Sequence, residues 1–159
     1  MKIAITKYAN ALFSPAWKHM PEAYVELFKN TDNHEGFRFP QDDNEFCFVA
    51  TRHDDLTKVL GFLVAYDWRS VNTYISVAYT LPEFRKLGIH TALFNALKDD
   101  CLKRNIHTIH SSVHANNVEA VAAMEKQGRI FGSRNVRYDL LVGHEPTMVE
   151  VKDELKGYL

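Results

Sequence analysis

Cysteine is scarce in this chain, which carries two such residues among 159. Cys47 lies between two phenylalanines on a predicted strand, and Cys101 falls on the apolar side of a predicted helix. Apolar surroundings of this kind are typical of buried thiols that stay reduced. We therefore predict two buried, reduced cysteines.

An excess of positive charge is also missing, because 19 Lys and Arg residues are matched by 20 Asp and Glu residues. The formal net charge is −1, and the isoelectric point is near 6.7. This balance gives no basic surface field of the kind that nucleic-acid binding usually needs. We expect no direct nucleic-acid partner.

Long apolar runs are absent too. No segment of the sequence is long and apolar enough to cross a bilayer. Residues 1–7 alternate as a strand does and lack the sustained apolar core of a signal peptide. We therefore expect a cytoplasmic protein that does not contact a membrane.

Two kinds of catalytic pattern are missing as well. His107, His110 and His114 lie near one another, but on an alternating strand the first points away from the other two, and no carboxylate or cysteine pair stands at ligand spacing. Ser111 and Ser112 lack the sharp, glycine-flanked turn of a nucleophile elbow. We predict neither a metal site nor a hydrolase.

What the chain does have is an ordinary globular composition, with 46% hydrophobic and 12% aromatic residues. Its length suits one domain with a substantial core, so we predict a single domain over residues 1–159. Apolar residues among charges at positions 144–159 predict an added C-terminal helix that packs or contacts a partner.

One segment reads as a strand that runs through a basic turn into a helix. Residues 74–79 are rich in β-branched and aromatic side chains, and Pro82 ends the ladder because it lacks a backbone donor. From Gly88 onward, apolar residues recur every three or four positions, as on one face of a helix.

A helix start of this kind attracts anions, since its first backbone N–H groups have no partner within the helix. Gly88 allows a phosphate to approach the backbone closely, and Arg85 and Lys86 add positive charge. The turn therefore predicts a phosphate or pyrophosphate site. For this segment alone, an ordinary corner with solvated basic side chains stays open.

A second strand and helix follow directly. Residues 108–114 alternate and are rich in β-forming types, and Asn116 or Asn117 is a suitable N-cap. Residues 118–124 carry apolar periodicity, and Gly128 suits the left-handed position after a helix.

The rest of the chain predicts short elements of both types. Ser14 and Pro15 are predicted as an N-cap and first helical residue, and Pro21 should break or restart that helix. Residues 31–44 are predicted as a long polar loop, and residues 53–55 as a hairpin turn. The further predicted strands are 2–8, 45–52, 58–68, 129–133 and 136–142.

The turn makes the chain resemble the Gcn5-related N-acetyltransferase (GNAT) superfamily. The acyl-CoA loop of that family has the form Gln/Arg-x-x-Gly-x-Gly/Ala, and residues 85–90, Arg-Lys-Leu-Gly-Ile-His, match it at every position but the last. His90 stands where the family usually has Gly or Ala. It either alters the closest approach of the pyrophosphate or adds a contact of its own.

A second family pattern, Asn-x-x-Ala-x-x-x-Tyr-x-x-x-Gly-Phe, lies at the family's usual separation from the first. It is met by Asn117, Ala120 and Gly128, whereas Met124 replaces its Tyr and Arg129 its Phe. The resemblance is specific over residues 74–129 and is carried by the order of elements outside that span.

The resemblance implies a mixed α+β fold, with six or seven mostly antiparallel strands, splayed parallel central strands and flanking helices. It also implies acetyl-CoA as acyl donor and direct attack by a primary amine of a small molecule or protein. Backbone N–H groups at residues 78–80 would face the thioester carbonyl. The cofactor-binding residues it implies are Ala78, Tyr79, Thr80, Arg85, Lys86, Leu87, Gly88, Ile89, His90, Thr91 and Asn117.

Catalytic side chains are harder to assign. An alkylamine has a pKa of about 10, so a base or a water chain must take its proton near neutral pH. Many relatives carry a Glu on the strand before the loop, but residues 74–79 include no carboxylate. We predict His114 as the base, and Tyr79 or Tyr138 as the acid in place of the family's Tyr. A structural role stays open for all three.

Two other functions stay open beside the acetyltransferase. His90, Met124 and the missing Glu fit a catalytically degenerate protein that binds acyl-CoA as a sensor or scaffold. His90 alone fits a domain that has kept the fold but binds another phosphate ligand or a protein. Exposed strands near the C-terminus also leave a homodimer open.

Overall fold

The computed structural model describes residues 1–28, 44–113 and 117–130. The strands are β1 (Ile3–Tyr8), β2 (Glu45–Arg52), β3 (Asp55–Trp68), β4 (Asn72–Thr80) and β5 (Thr108–Ser111). The helices are α1 (Met20–Phe28), α2 (Ile89–Lys103) and α3 (Val118–Lys126). Short 3-10 segments cover Ala11–Phe13, Trp17–His19 and Pro82–Phe84.

These strands form one sheet in chain order, β1-β2-β3-β4-β5. Strands β1 to β4 pair antiparallel, and β5 pairs parallel with β4. The predicted mixed α+β class, with a mostly antiparallel sheet, is confirmed. The described residues contain five strands rather than six or seven. Arg129 and Ile130 are not in a strand, and the remainder of the two last predicted strands lies outside the described residues.

Helices cover both faces of the sheet, which is why β2 is buried from its first residue, Glu45, to Thr51. On one face, apolar residues of α2 pack in a cluster with Phe46, Phe48, Leu63 and Ile75. On the other face, Met20 and Ala23 of α1 belong to a cluster with Cys47, Val49, Phe62, Val77 and Tyr79. Both cysteines are free and buried, as predicted.

Strand β4 changes its register against β3 in the middle. Val64 pairs with Val77, but the next β3 residue, Ala65, pairs with Ile75, so Ser76 is an extra residue on β4. This is a β-bulge, and it moves the side chains that follow to the other face. Ile75 accordingly packs in the α2 cluster, whereas Val77 packs in the α1 cluster.

Strands β4 and β5 pair over a short distance, because β5 ends before β4 does. Their register runs from Asn72 opposite Thr108 to Ile75 opposite Ser111, and β4 continues beyond this last pair to Thr80. The predicted parallel pair is therefore present, and its splaying stays a prediction. Within residues 1–28, 44–113 and 117–130, no strand pairs with the edge of β4 just before the basic turn.

The caps of the helices follow the sequence signals in part. Asn117 caps α3 with its side chain, and Gly128 has the predicted left-handed backbone, with φ of 73°. Helix α1 begins at Met20 with Pro21 in its first turn, as the predicted restart requires. Ser14 is not an N-cap, because its N–H and hydroxyl both donate to the carbonyl of Ala11 and so close the preceding 3-10 turn.

All of these elements belong to one compact unit, Met1–Gly128. A second unit begins at Arg129, and of it only Arg129 and Ile130 are described, so the predicted helix at residues 144–159 lies outside the described residues. In the described part of the chain, no helix has the length and apolar character needed to span a bilayer.

Candidate functional site

The first wall of the site is the open edge of β4. The N–H of Leu81 donates to Leu60 on β3 at 3.0 Å. Because backbone groups alternate in direction along a strand, Tyr79 also directs its N–H toward β3, whereas Ala78 and Thr80 direct theirs toward the edge that β5 has left. Of the three backbone positions predicted for the thioester, these two therefore face the open edge.

The second wall is the turn into α2. Lys86 and Gly88 both have left-handed backbone, with φ of 61° and 81°. Gly88 is the N-cap of α2, and among the described residues no side chain caps this helix end. The first-turn N–H groups of Ile89, His90 and Thr91 are thus arranged as the sequence predicts for an anion site. Leu87 is exposed beside them.

Gly88 is needed at this turn for its backbone conformation. A Cβ built on Gly88 would meet no described atom within 4 Å, so the space beside the turn is open. Its positive φ, however, is one that residues with a side chain adopt only at a cost of about 1–2 kcal/mol. The turn is therefore both accessible and dependent on glycine.

Arg85 does not point into this turn. Its Nε donates to the carbonyl of Thr80 at 3.1 Å, and its Nη2 donates to Oε2 of Glu26 at 2.7 Å. The hydrogen bond to Glu26 raises the pKa of the guanidinium. These bonds direct two of the five N–H donors of Arg85 away from the turn, so phosphate binding by this side chain, which the sequence predicts, would have to use the others.

Tyr79 lies beside the same carboxylate. Its side chain is buried, with 3% of the residue exposed, and its hydroxyl lies 3.0 Å from Glu22 Oε1 and 3.2 Å from Glu26 Oε2. Burial raises the pKa of the phenol, and the two carboxylates raise it further. A phenol has one hydrogen to donate, and here carboxylates accept it. The predicted role of Tyr79 as an acid is therefore disfavoured by its surroundings.

Glu22 and Glu26 were not among the residues that we predicted. They lie four residues apart on α1 and, with Pro21 and Val25, line an open cleft of about 550 Å³. The only local signal was their spacing, which places both on one helix face. That signal is common to many solvated helices.

His90, where the chain departs from the motif, contacts α3. Its Nδ1 lies 3.0 Å from Nε2 of Gln127, 37 residues away in sequence. The imidazole thus links the start of α2 to the end of α3. Asn117 accepts from the N–H of Ala120 at 3.1 Å, so its side-chain oxygen serves the helix cap, and its predicted contact with the cofactor stays a prediction.

The predicted base His114 and the predicted acid Tyr138 lie outside the described residues. A histidine that we did not predict, His19, precedes α1. Burial lowers its pKa and the ammonium of Lys18 lowers it further, against the opposing effect of the carboxylates of Glu22 and Glu83. The imidazole is thus favoured in its neutral form, which can accept a proton.

Two of the three histidines that the sequence analysis considered as metal ligands, His107 and His110, have structural contacts. The His110 ring lies 3.4 Å from Asn72 Oδ1 and stands edge-on to the ring of Trp68. The backbone N–H of His107 donates to the carbonyl of Val71. Within residues 1–28, 44–113 and 117–130, no three His, Cys, Asp or Glu side chains are grouped as metal ligands.

The geometry agrees with what the chain resembles. A family model described as "Acetyltransferase (GNAT) family" matches residues 9–128. No curated protein sequence matches the chain.

Solved structures with a similar fold include three acetyltransferases. An aminoglycoside acetyltransferase, meta-AAC0020, from an uncultured soil metagenomic sample, in complex with sisomicin, is 16% identical with a TM-score of 0.66, over 86% of this chain and 94% of that one. AAC(6')-Iy with the bisubstrate analogue CoA-S-monomethyl-acetylneamine is 16% identical with a TM-score of 0.62, over 87% and 98%. Ribosomal-protein-alanine N-acetyltransferase from Brucella melitensis biovar Abortus 2308 is 16% identical with a TM-score of 0.61, over 86% and 100%. At these identities the similarity establishes the fold.

Proposed function

Because the chain belongs to the acetyltransferase (GNAT) family, we propose that it transfers an acetyl group from acetyl-CoA to a primary amine of a small molecule or protein. The observation that carries the proposal is the open edge of β4 leading directly into the glycine turn at Gly88. An unpaired strand edge offers hydrogen bonds to an extended chain, and an uncapped helix start offers them to phosphate.

The residues present fit acetyl-CoA. Backbone N–H groups of Ile89, His90 and Thr91 would hold its phosphates, with Lys86 adding charge, and the edge of β4 would hold its pantetheine arm. When bound, acetyl-CoA supplies an acetyl group activated as a thioester. The N–H groups of Ala78 and Thr80 would donate to the oxygen that becomes negative during transfer, where fixed donors are most effective.

The amine side of the reaction is assigned to α1. Glu22 and Glu26 line the open cleft, and the Arg85 guanidinium bonds to Glu26. Two carboxylates beside one guanidinium leave a local excess of negative charge, which favours an acceptor that arrives as an ammonium ion. A base must then remove its proton, and we propose His114.

The proton for the departing thiolate comes from water or from Tyr138 in this proposal. Tyr79 is unsuited because its hydroxyl already donates to a carboxylate and its pKa is raised. Met124, at the position of the family's Tyr, has no proton to give. Turnover therefore depends on positioning and on the oxyanion donors more than on a dedicated acid.

Isothermal titration with acetyl-CoA tests the cofactor site. We expect micromolar binding and, in Gly88→Trp, a Kd raised about tenfold or more, because the side chain forces the turn out of its left-handed conformation. Gly128→Trp is the matched control, since Gly128 also has positive φ and open space around it. An unchanged Kd in Gly88→Trp would refute the assignment of the turn.

An amine panel separates the enzyme from a binding protein. The panel contains sisomicin, a peptide with N-terminal alanine, and aliphatic diamines. The first two follow the names of similar structures, and the diamines represent simple amines. Release of CoA, followed with a thiol reagent, supports the transferase. Micromolar binding of acetyl-CoA without release on any amine would instead support the sensor or scaffold alternative, which His90 and Met124 favour.

A further inference from the structure

The side chain of Arg85 joins three parts of the molecule that meet at the open edge. Its Nε reaches the carbonyl of Thr80 at the end of β4, and its Nη2 reaches Glu26 on α1. Its guanidinium carbon lies 5.7 Å from the centre of the Tyr79 ring. The first residue of the cofactor loop is thus attached to the helix that lines the acceptor cleft.

The bond to Thr80 has a consequence for the sheet. The Thr80 carbonyl points to the side that β5 has left, and a continued parallel pair would satisfy it with an N–H from β5. The Nε of Arg85 supplies a donor in that place. The strand end is therefore satisfied without β5, and the two strands can remain apart up to the turn.

The bond to Glu26 has a consequence for α1. Carboxylate oxygens of Glu22 and Glu26 both lie within 3.2 Å of one phenol oxygen, so two like charges are held close together. The guanidinium is the countercharge bonded to one of them. Because its donors are fixed in a plane, one guanidinium can bond to Thr80 and Glu26 at once, which a lysine ammonium at the end of a flexible stem does less well.

We propose that Arg85 is a positioning residue that fixes α1 against the open end of β4, and that it is not a phosphate ligand. The role of α1 as acceptor wall rests on the proposed function. In this proposal the backbone of the turn and Lys86 contact the phosphates. Arg85 positions the acceptor through its bond to Glu26.

Titration with acetyl-CoA distinguishes the two roles without an acceptor. A positioning role predicts that Arg85→Gln keeps the Kd within about threefold and keeps its dependence on salt between about 50 and 200 mM. Lys86→Gln, the adjacent cation, is the control and should raise the Kd more. A tenfold rise in Arg85→Gln that Arg85→Lys restores, with a weaker salt dependence, would overturn the proposal.

Two further readouts test positioning directly. Amide hydrogen exchange in Met20–Phe28 should become faster in Arg85→Gln and in Glu26→Gln. The double variant should exchange no faster than the single variants, because each change removes the same ion pair. For an amine that the panel identifies, Arg85→Lys and Arg85→Gln should lower kcat/KM by similar factors of about ten, since the planar fork is lost in both. Unchanged exchange in α1 would overturn the proposal.

Failure of the proposal differs from failure of the proposed function. If the unmodified protein does not bind acetyl-CoA, the proposed function fails, and the exchange of α1 amides still decides the role of Arg85. If it binds acetyl-CoA and Arg85→Gln removes that binding while α1 exchange is unchanged, only the positioning role fails.

Discussion

Tyr79 shows how one residue of a proposed site can also serve its packing. Its ring is buried in the α1 cluster against Phe62, at 5.8 Å between ring centres, while its hydroxyl meets two carboxylates of α1. A donor in this place offsets part of the repulsion between the carboxylates. The phenol is therefore a structural link between β4 and α1.

We expect Tyr79→Phe to lower the free energy of unfolding by about 1–3 kcal/mol near neutral pH, as hydrogen bonds to charged groups do. Because folding raises the pKa of this phenol, its contribution is complete below the unfolded value of about 10 and decreases as the pH rises above it. Urea unfolding measures both effects. Acetyl transfer should persist, and a loss of kcat of a hundredfold would restore Tyr79 as the acid.

Tyr74→Phe is the matched control for this change. The hydroxyl of Tyr74 lies 2.7 Å from Ser112 Oγ, which is a neutral and exposed partner. Its removal should cost less than Tyr79→Phe. Equal losses of unfolding free energy in the two variants would show that the carboxylates do not strengthen the hydrogen bonding of Tyr79.

Residue roles set by local backbone could be predicted from the sequence. Gly128 and Asn117 were identified because left-handed φ and side-chain capping depend on a few neighbouring residues. The contacts of Tyr79 with Glu22 and Glu26 could not, because they join residues 57 and 53 positions apart. Only the packed fold brings such pairs together.

At the scale of elements, the close approach of β3 and β4 depends on Gly61. A Cβ at Gly61 would lie 2.8 Å from the carbonyl oxygen of Tyr79 and 3.2 Å from Ile89 Cγ2. Gly61 therefore lets β3 pass close to both the end of β4 and the start of α2. These are the two elements that form the proposed cofactor site.

We expect Gly61→Ala to lower the free energy of unfolding by about 1–3 kcal/mol, as overpacking does, and to weaken acetyl-CoA binding. Gly61→Val should cost more. Without the contact, both changes would stabilise the strand, because glycine is a poor strand former. Denaturant unfolding of the two variants therefore separates the steric explanation from strand propensity, and a gain in stability would contradict the structure.

Element boundaries were predictable where side-chain patterns are strong. The sequence predicts β2 at residues 45–52, and the structure has Glu45–Arg52. Strand β3 begins earlier than the predicted residue 58, at Asp55, because pairing with Arg52 extends a polar hairpin end that carries no apolar signal. The bulge at Ser76 was not predicted. Every second residue of β4 from Thr73 to Tyr79 is buried, as in a regular half-buried strand, although Ile75 and Val77 face opposite sides of the sheet.

At the scale of the whole molecule, a chain of ion pairs connects α2 to distant strands. Lys7 on β1 donates to Asp100 at 2.8 Å, and Arg104 donates to Asp100 at 2.7 Å and to Asp67 on β3 at 2.5 Å. Lys7 and Arg104 also lie 4.8 and 5.2 Å from the centre of the Phe46 ring. The network anchors the C-terminal end of α2 across the sheet.

We expect Asp100→Asn to lower the free energy of unfolding by about 1 kcal/mol near neutral pH. Burial alone would raise the pKa of Asp100, but hydrogen bonds from Lys7 and Arg104 lower it. A lowered pKa gives stability that is complete above the unfolded value of about 3.9 and is lost as the pH falls through the folded value. The difference between variant and parent should thus vanish in acid.

Urea unfolding at neutral pH and at about pH 2.5 measures this difference. Asp54→Asn is the matched control, because Asp54 pairs with Arg52 at an exposed position and should matter less. A difference for Asp100→Asn that persists unchanged in acid would show that packing, and not charge, explains the effect.

The overall architecture was predictable because it rests on the order of elements and two anchored motifs, and the family match over residues 9–128 agrees with it. The proposed acceptor wall was not predictable to the same degree. Its chemistry comes from α1, where Glu22 and Glu26 resemble any solvated pair of helix carboxylates until Arg85 and Tyr79 are seen beside them. The proposed donor site rests on sequence motifs, and the proposed acceptor site rests on contacts that only the fold brings together.

The extra residue at Ser76 decides where β4 can change its length. Deleting Ser76 would give a regular ladder in which Ala65 still pairs with Ile75 and Val64 with Val77, so Ile75 would stay on the α2 side and Val77 and Tyr79 on the α1 side. A deletion or insertion elsewhere in β4 would instead turn the side chains on one side of the change to the other face of the sheet. The bulge is therefore a position at which this strand tolerates the loss of a residue.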